Sequence, residues 1–321
     1  MTWKSPSCAQ FCVAAILLLL FTTLSPFQSM AQNLDLSLET QAIRLWSGIA
    51  PGAQGTSSED QPDLTIFRPM RGQANGTAVV LAPGGAYLKL ALNHEGRQVA
   101  NYLNSLGITV FLLRYRLAPN YHYPVQLEDA QRAIRLVRSR AGEFGVLPDR
   151  IGMMGFSAGG HLTALAGTHF DDGKSDAADP IDRVSSRPDF LVLGYAVISL
   201  SEDFSQVKTT DAVRQALLGG TPSAAQLKDV STDLQVSPRT PPTFLFSTSQ
   251  DDDVPPGNSV AFYQALQKAH VPGELHIFYR GHHGIGLDLQ DPLLGQWSGL
   301  LANWLRDRGL LKPVKLGNDN P

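Results

Sequence analysis

The chain has 321 residues, of which 43% are hydrophobic and 17% are charged. This is enough apolar material for a substantial core, and it excludes a disordered chain. The formal net charge is −3, from 26 lysines and arginines against 29 aspartates and glutamates. Because there is no basic excess, binding to nucleic acid through its phosphates is not expected.

The N-terminal segment has the pattern of a secretory signal peptide over residues 1–31. Lys4 is the only charged residue before Asp35, and an apolar run extends over 11–21. That run is short for a membrane span, and small residues stand three and one positions before a cleavage point after Ala31. We expect a secreted or periplasmic mature chain with no stable membrane insertion; an uncleaved N-terminal anchor is the alternative.

The two cysteines of the chain, Cys8 and Cys12, both lie in this N-terminal segment. They precede the apolar run, so a lipid-anchored cysteine at the cleavage point is not expected. The mature chain is expected to contain no cysteine. Neither a disulfide framework nor a thiol nucleophile is therefore predicted, despite export.

Short apolar runs follow an N-terminal arm over 32–62 that is rich in turn-forming residues. Several runs are apolar throughout, as is typical of strands buried on both faces of a sheet. The predicted strands are 64–67, 78–81, 109–113, 151–155, 190–197, 243–247 and 274–278.

Helical patterns alternate with these strands. One pattern, after Pro124, has Leu127, Ala130, Ile134 and Val137 at helical spacing. A second has Val99, Leu103 and Leu106 and ends at Gly107, and two more cover the segments 259–269 and 293–305. The alternation predicts an α/β fold with a mostly parallel central sheet and helices on both faces. It defines a domain over 63–312 followed by a tail over 313–321. Residues 199–240 interrupt the alternation and are expected to form a cap-like insertion over the sheet edge where such folds bind ligands.

The central motif is Gly155-Phe156-Ser157-Ala158-Gly159, which follows a predicted strand and opens a predicted helix. In that context the motif is typical of a nucleophile elbow, a sharp turn that presents a serine hydroxyl above the sheet. The flanking glycines permit close approach of the backbone. Ser157 is thus the candidate nucleophile.

A glycine loop, Pro83-Gly84-Gly85-Ala86, follows the predicted strand that ends at Leu81. Backbone N–H groups of such a loop can stabilise a developing oxyanion together with the N–H of the residue after the nucleophile. The candidate donors are Gly84, Gly85 and Ala158.

Two loops after later strands supply the remaining catalytic groups. Asp251-Asp252-Asp253 follows the strand 243–247, and His282-His283 lies between two glycines after the strand 274–278. A buried aspartate would orient a histidine that acts as general base, and the order Ser, Asp, His is that of α/β-hydrolases. His161 lies one turn after the serine, where a structural role is expected.

These stretches resemble secreted bacterial esterases of the α/β-hydrolase superfamily, in the acetylxylan-esterase-like group related to hormone-sensitive lipases. The resemblance covers most of the mature chain. The matching residues are Ala82-Pro83-Gly84-Gly85-Ala86-Tyr87, His94-Glu95-Gly96, Tyr115-Arg116-Leu117, Gly155-Phe156-Ser157-Ala158-Gly159-Gly160-His161-Leu162, Val254-Pro255 and His283-Gly284-Ile285-Gly286.

The resemblance implies a Ser157, Asp251 and His283 triad. The family's aspartate lies four residues before the proline of the Val-Pro pair, which is Asp251 here, with Asp252 as the alternative. The family's histidine directly precedes Gly-x-Gly, which favours His283. The chain departs from its relatives at Ala86, where a third glycine is usual, and at Pro83, where lipase-like relatives have histidine.

The resemblance also implies a substrate class. It predicts a secreted serine carboxylesterase that removes short acyl groups, above all acetyl, from carbohydrates such as acetylated xylan, without a metal or an organic cofactor. Tyr87, Tyr121 and Tyr123 are candidates to line the sugar site. The alternatives are a feruloyl or general small-ester esterase of the same fold, and a catalytically inactive hydrolase fold used for binding. The sequence does not indicate the oligomeric state.

Overall fold

The computed structural model describes residues 42–201 and 208–311, together with Met1 and Thr2. Beyond those two residues, the predicted signal peptide lies outside the described residues. The tail 313–321, the first part of the arm and residues 202–207 of the predicted insertion lie outside them as well. Within the described residues, no helix has the length and apolar character to cross a membrane.

The described part of the chain is built on an eight-stranded sheet in the order β1-β2-β4-β3-β5-β6-β7-β8. Strands β3 to β8 run parallel, whereas β1 and β2 pair antiparallel at one edge. The predicted mostly parallel sheet is confirmed. The strands are β1 (Ala42–Arg44), β2 (Asp63–Phe67), β3 (Ala78–Ala82), β4 (Thr109–Arg114), β5 (Ile151–Phe156), β6 (Leu191–Gly194), β7 (Thr243–Thr248) and β8 (Gly273–Phe278).

Two strands differ from the prediction. Strand β1 was not predicted, because it has three residues and is not apolar throughout. Strand β6 ends at Gly194 rather than at Val197, since the φ angle of Tyr195 is +33° and lies outside the range of a β-strand.

Eight α-helices surround the sheet in the described part of the chain. They are α1 (Gln98–Ser105), α2 (Val125–Ser139), α3 (Ala141–Phe144), α4 (Ser157–Thr168), α5 (Lys208–Leu218), α6 (Ala224–Val230), α7 (Gly257–Lys268) and α8 (Gln296–Asp307). A π-helical segment, Leu92–Arg97, leads into α1. Helix α8 begins later than predicted, because Oδ1 of Asp291 accepts the N–H groups of Leu293 and Leu294 in a turn.

The sheet separates two apolar cores, since successive side chains of a strand point to opposite faces. Val80 and Ala82 pack with side chains of α2, α4 and α7, whereas Val79 and Leu81 pack with side chains of α1 and α8. Helices therefore cover both faces, as predicted. This arrangement has the layers and the strand order of an α/β-hydrolase fold.

Residues 42–62 of the arm lie against the core. Leu45 is buried, and its carbonyl accepts a hydrogen bond from Nε of Arg132 at 2.9 Å. The ring of Trp46 lies between the guanidinium groups of Arg116 and Arg132, at 5.6 and 5.5 Å. Burial of Leu45 and these cation–π contacts hold the described arm residues to α2 and the end of β4.

The described residues of the insertion lie at the carboxyl ends of the parallel strands. The N–H of Tyr123, in the loop after β4, donates to the carbonyl of Leu217 in α5 at 2.7 Å. The hydroxyl of Thr209, also in α5, donates to Asp253 in the loop after β7 at 2.9 Å. The insertion thus contacts the loop that carries Asp251 and the loop that carries Tyr121 and Tyr123.

Candidate active site

Ser157 occupies the turn from β5 to α4. Its φ angle of +52° is unusual for a residue with a Cβ, and its side chain is nearly buried. A Cβ added to Gly155 would lie 2.1 Å from the carbonyl oxygen of Gly159, and a Cβ on Gly159 would lie 2.2 Å from that of Ala82. Both flanking glycines are therefore required by the close packing of the helix on the strands.

The structure brings Ser157, His283 and Asp251 together. Nε2 of His283 lies 2.8 Å from Oγ of Ser157, and Nδ1 lies 2.8 Å from Oδ2 of Asp251. The Asp251 side chain is fully buried, and its Oδ1 accepts the N–H of Val254 at 2.8 Å. The alternatives Asp252 and His282 are exposed.

These contacts determine the proton positions in the triad. A carboxylate can only accept, so Nδ1 of His283 carries a proton and donates it to Asp251. In the neutral ring Nε2 is then unprotonated and accepts the hydroxyl of Ser157. Burial alone lowers the pKa of His283, but the hydrogen bond and charge of Asp251, with the charges of Glu95 and Asp253, raise that pKa above its usual value. The arrangement can withdraw a proton from the serine.

One of the predicted oxyanion donors has a different role. The N–H of Gly84 donates to Oε2 of the buried Glu95 at 2.7 Å, so it is not free to bind an oxyanion. This contradicts the prediction for Gly84. By contrast, the N–H groups of Gly85 and Ala158 meet no acceptor within the described residues.

The backbone of the glycine loop is held by its carbonyl groups. The carbonyl of Gly84 accepts the N–H of Ala91 at 2.9 Å. In a trans peptide the N–H points away from the carbonyl, so this bond also fixes the direction of the Gly85 N–H. Gly85 has a φ angle of +132°, and a Cβ there would lie 2.1 Å from the carbonyl oxygen of Lys89. Only glycine is compatible with this position.

The three candidate tyrosines have structural contacts. Tyr87 is fully buried, and its hydroxyl lies 2.8 Å from Nδ1 of His161, so it has no surface for a sugar. The hydroxyl of Tyr123 donates to Asp229 of α6 at 2.8 Å. These contacts argue against the prediction for Tyr87 and tie Tyr123 to the insertion.

Tyr121 is nearly buried, and its hydroxyl donates to Asp60 while it accepts the N–H of Gln54. Part of the residue nevertheless lines a cavity of about 270 Å³ between the arm, the residues that follow the glycine loop and the segment after β4. The triad residues do not line this cavity. Leu88, Leu90, Leu117 and Pro119 form its apolar wall.

His161 has the structural position that the sequence predicts. It is fully buried in α4, and its Nε2 lies 2.8 Å from the carbonyl oxygen of Val230. That carbonyl can only accept, so Nε2 carries the proton and Nδ1 accepts the hydroxyl of Tyr87. Burial lowers the pKa of His161 to about 4, so the ring is neutral at pH 7.

Glu95 is a residue of the site to which sequence reasoning assigned no role. It lies in the π-helical segment ahead of α1, within the stretch His94-Glu95-Gly96 that resembles the family. A carboxylate eleven residues after Gly84 gives no signal of its own. Within the described residues, no group of three or more His, Cys, Asp or Glu side chains is placed to hold a metal ion.

The model of the BD-FAE family matches residues 64–266 of this chain. The match includes Ser157 and Asp251 and ends before His283.

Two relatives are similar to this chain over more than two thirds of its length. Endo-1,4-beta-xylanase B of Butyrivibrio fibrisolvens is 34% identical over 224 residues, which are 69% of this chain and 34% of that protein. An acetylxylan esterase of Xylanibacter ruminicola is 31% identical over 252 residues, which are 78% of this chain and 49% of that protein. The chain thus spans about a third and about half of the lengths of these two relatives.

Solved structures include a similar chain that aligns over nearly its whole length. The crystal structure of an acetyl ester-xyloside bifunctional hydrolase from Caldicellulosiruptor lactoaceticus has a TM-score of 0.78 and 40% sequence identity, and the alignment covers 85% of this chain and 98% of that one. The propionate-bound esterase Est2 of Thermogutta terrifontis has a TM-score of 0.66 and 27% sequence identity, and the alignment covers 82% of this chain and 97% of that one.

Proposed function

The chain belongs to the BD-FAE family of α/β-hydrolase esterases, and from that membership we propose that it is a serine carboxylesterase that removes acetyl groups from carbohydrates. The observation that carries the proposal is the continuous hydrogen-bonded series from Asp251 through His283 to Ser157. Two relatives support the substrate class, since one is named an acetylxylan esterase and the other an acetyl ester-xyloside hydrolase.

The mechanism follows from the proton positions. Nε2 of His283 takes the hydroxyl proton while Oγ of Ser157 attacks the ester carbonyl carbon. The N–H groups of Gly85 and Ala158 stabilise the oxyanion of the tetrahedral intermediate. The protonated His283 then donates its proton to the leaving sugar oxygen, and the Ser157 acyl ester remains.

Hydrolysis of the acyl-enzyme repeats these steps with water. His283 removes a proton from the water as its oxygen attacks the acyl carbon, and then returns a proton to Oγ of Ser157. Asp251 stays ionised throughout and stabilises the imidazolium form of His283. Acetate is the released acid.

The test is acetate release from acetylated xylo-oligosaccharides by the purified protein, with Ser157→Ala as the matched control. Aryl acetate and feruloyl ester are measured in parallel. The proposal expects acetate release by the wild type that is lost in the variant. Cleavage of aryl acetate alone would keep the serine mechanism and contradict the carbohydrate substrate. Preference for the feruloyl ester would favour a feruloyl esterase, and no cleavage of any ester would favour the inactive binding fold.

We further propose that the protein is exported. The apolar run over 11–21 and the small residues before position 32 support cleavage after Ala31. Polymeric and oligomeric xylan is met outside the cytoplasm, which agrees with export. The intact mass of protein recovered from the periplasm or medium should correspond to a chain that begins at Gln32, and a mass that includes residues 1–31 would contradict cleavage.

A further inference from the structure

Glu95 connects the two loops that the catalytic reaction requires. Its Oε2 accepts the N–H of Gly84 in the glycine loop at 2.7 Å, and its Oε1 accepts the hydroxyl of Tyr195 at 2.9 Å. The Tyr195 oxygen in turn accepts the N–H of Gly286 at 3.0 Å, three residues after His283. One buried carboxylate thus joins the oxyanion loop to the loop of the catalytic histidine.

The chemistry of these contacts requires a carboxylate. Both oxygens of Glu95 accept hydrogen bonds from groups that donate, and the residue is 3% exposed. A glutamine could accept at only one atom, and its amide nitrogen would face a second donor. The cost of leaving a buried donor without an acceptor is substantial, so the surroundings favour a side chain with two accepting oxygens.

Tyr195 is placed to transmit the position of Glu95 to His283. Its ring contacts the His283 ring edge-on, with centroids 5.2 Å apart, and it is itself held between the rings of Phe156 and Phe246. The φ angle of +33° at Tyr195 shows that the backbone leaves the strand geometry in order to place this side chain.

We infer that Glu95 is a positioning residue that sets the oxyanion loop and the His283 loop relative to each other, through Gly84 on one side and Tyr195 on the other. The inference rests on the proposed function. Glu95 touches no reacting atom, because the Gly84 N–H and the Tyr195 hydroxyl occupy its two oxygens. Its effect on catalysis passes through the Pro83–Gly84 peptide, which adjoins the peptide that carries the Gly85 N–H, and through the Tyr195 ring against His283.

The charge of Glu95 should affect the pH dependence of kcat/KM, which a purely structural role would leave unchanged. The ionisable groups around His283 are Asp251, Asp253, Tyr195 and Glu95, and the three carboxylates each favour the protonated imidazole. Exposed His94 also lies near Glu95, with its Nε2 at 3.8 Å. Removing the Glu95 charge should therefore lower the pKa of His283 and shift the acid limb of kcat/KM to lower pH.

The experiment compares Glu95→Gln with Tyr195→Phe in full-length protein, with aryl acetate as the substrate. Glu128→Gln, which removes an exposed charge from α2, is the matched control, and Ser157→Ala tests the proposed function separately. Glu95→Gln should lower kcat by about tenfold to a hundredfold with little change in KM, and should shift the acid limb to lower pH. Tyr195→Phe should lower kcat less and leave the limb in place, because the carboxylate remains.

The results separate the two hypotheses. Activity in Ser157→Ala would overturn the proposed serine mechanism. With that variant inactive, a Glu95→Gln protein with wild-type kcat, or with a lowered kcat and an unmoved acid limb, would overturn the positioning role. If Glu95→Gln does not fold, Tyr195→Phe tests the positioning role instead. A wild-type kcat in Tyr195→Phe would contradict the connection from Glu95 through Tyr195 to the His283 loop. In the double variant, the increase in activation free energy should be smaller than the sum of the increases in Glu95→Gln and Tyr195→Phe, because both residues act through one connection.

Discussion

Oδ2 of Asp251 lies 2.8 Å from Nδ1 of His283, while the other carboxylate oxygen accepts the backbone N–H groups of Asp253 and Val254. The second set of bonds holds the carboxylate against rotation, so the first bond fixes the plane and the tautomer of the imidazole. Three aspartates are adjacent in the sequence, and only one of them has this position. The neighbouring Asp252 is exposed.

Asp251→Asn should therefore abolish most of the activity, and Asp252→Asn should not. An asparagine amide at 251 favours the wrong imidazole tautomer, and in a serine hydrolase such a change lowers kcat by roughly 10⁴. The measurement is kcat for aryl acetate in both variants, with thermal unfolding to verify that each folds. Equal losses in the two variants would contradict the assignment of Asp251.

The pH profile of kcat/KM should show an acid limb above pH 6.5. Burial opposes the charged imidazole, but Asp251 and the charges of Glu95 and Asp253 raise the pKa of His283 overall. Only the neutral ring accepts the serine proton, so activity is lost as the pH falls through this raised pKa. A limb centred at or below pH 6.5 would show that the carboxylates do not control the titration.

Ala86→Gly should stabilise the protein without loss of activity. Ala86 has a φ angle of +55°, which is costly for a residue with a Cβ. After the larger conformational entropy of unfolded glycine is subtracted, the gain in free energy of unfolding is about 0.5–1 kcal/mol.

Ala261→Gly, inside helix α7, is the matched control for Ala86→Gly. This helical position should lose about 1 kcal/mol on the same substitution. Urea unfolding measures both changes. The same sign in the two variants would exclude backbone strain at Ala86 as the cause.

His161 should make the stability depend on pH in the acid range. The unfolded state binds a proton at its ring below about pH 6.5, whereas the folded state excludes that proton until about pH 4. Stability from this group is therefore present above pH 6.5 and decreases as the pH falls from 6.5 to 4, by on the order of 3 kcal/mol.

The difference in free energy of unfolding between wild type and His161→Gln checks this account. That difference should be largest near pH 7 and should shrink towards pH 4. His282→Gln, at an exposed position, provides the control for the loss of an imidazole outside the buried site. A constant difference for His161→Gln would mean that the buried ring does not resist protonation.

Much of the fold could be predicted from the sequence, because its parallel strands are buried on both faces and so appear as short apolar runs. The elements that were missed depend on tertiary contacts. Strand β1 exists through its pairing with β2, and the π-helical segment 92–97 precedes a helix whose apolar stripe starts only at Val99. Likewise, the end of β6 is set by the left-handed backbone of Tyr195.

Ser157, Asp251 and His283 could be proposed as a triad because each lies in a short motif after a strand, and the family resemblance chose between the adjacent aspartates and between the adjacent histidines. The contacts of the residues around the triad could not be predicted in the same way. The engagement of the Gly84 N–H depends on a glutamate eleven residues later, and the burial of Tyr87 depends on a hydroxyl contact with His161 across 74 positions. Such pairs leave no local pattern, since neither residue type requires the other at a fixed spacing.

Covalent labelling by a fluorophosphonate, located by mass spectrometry, tests most directly whether Ser157 is an activated nucleophile. The account predicts one added phosphonyl group per chain, on the peptide that contains Ser157. Labelling should be absent in Ser157→Ala, strongly slowed in His283→Ala and unchanged in His282→Ala. Undiminished labelling of Ser157→Ala, or a wild-type protein that takes up no label, would contradict the account.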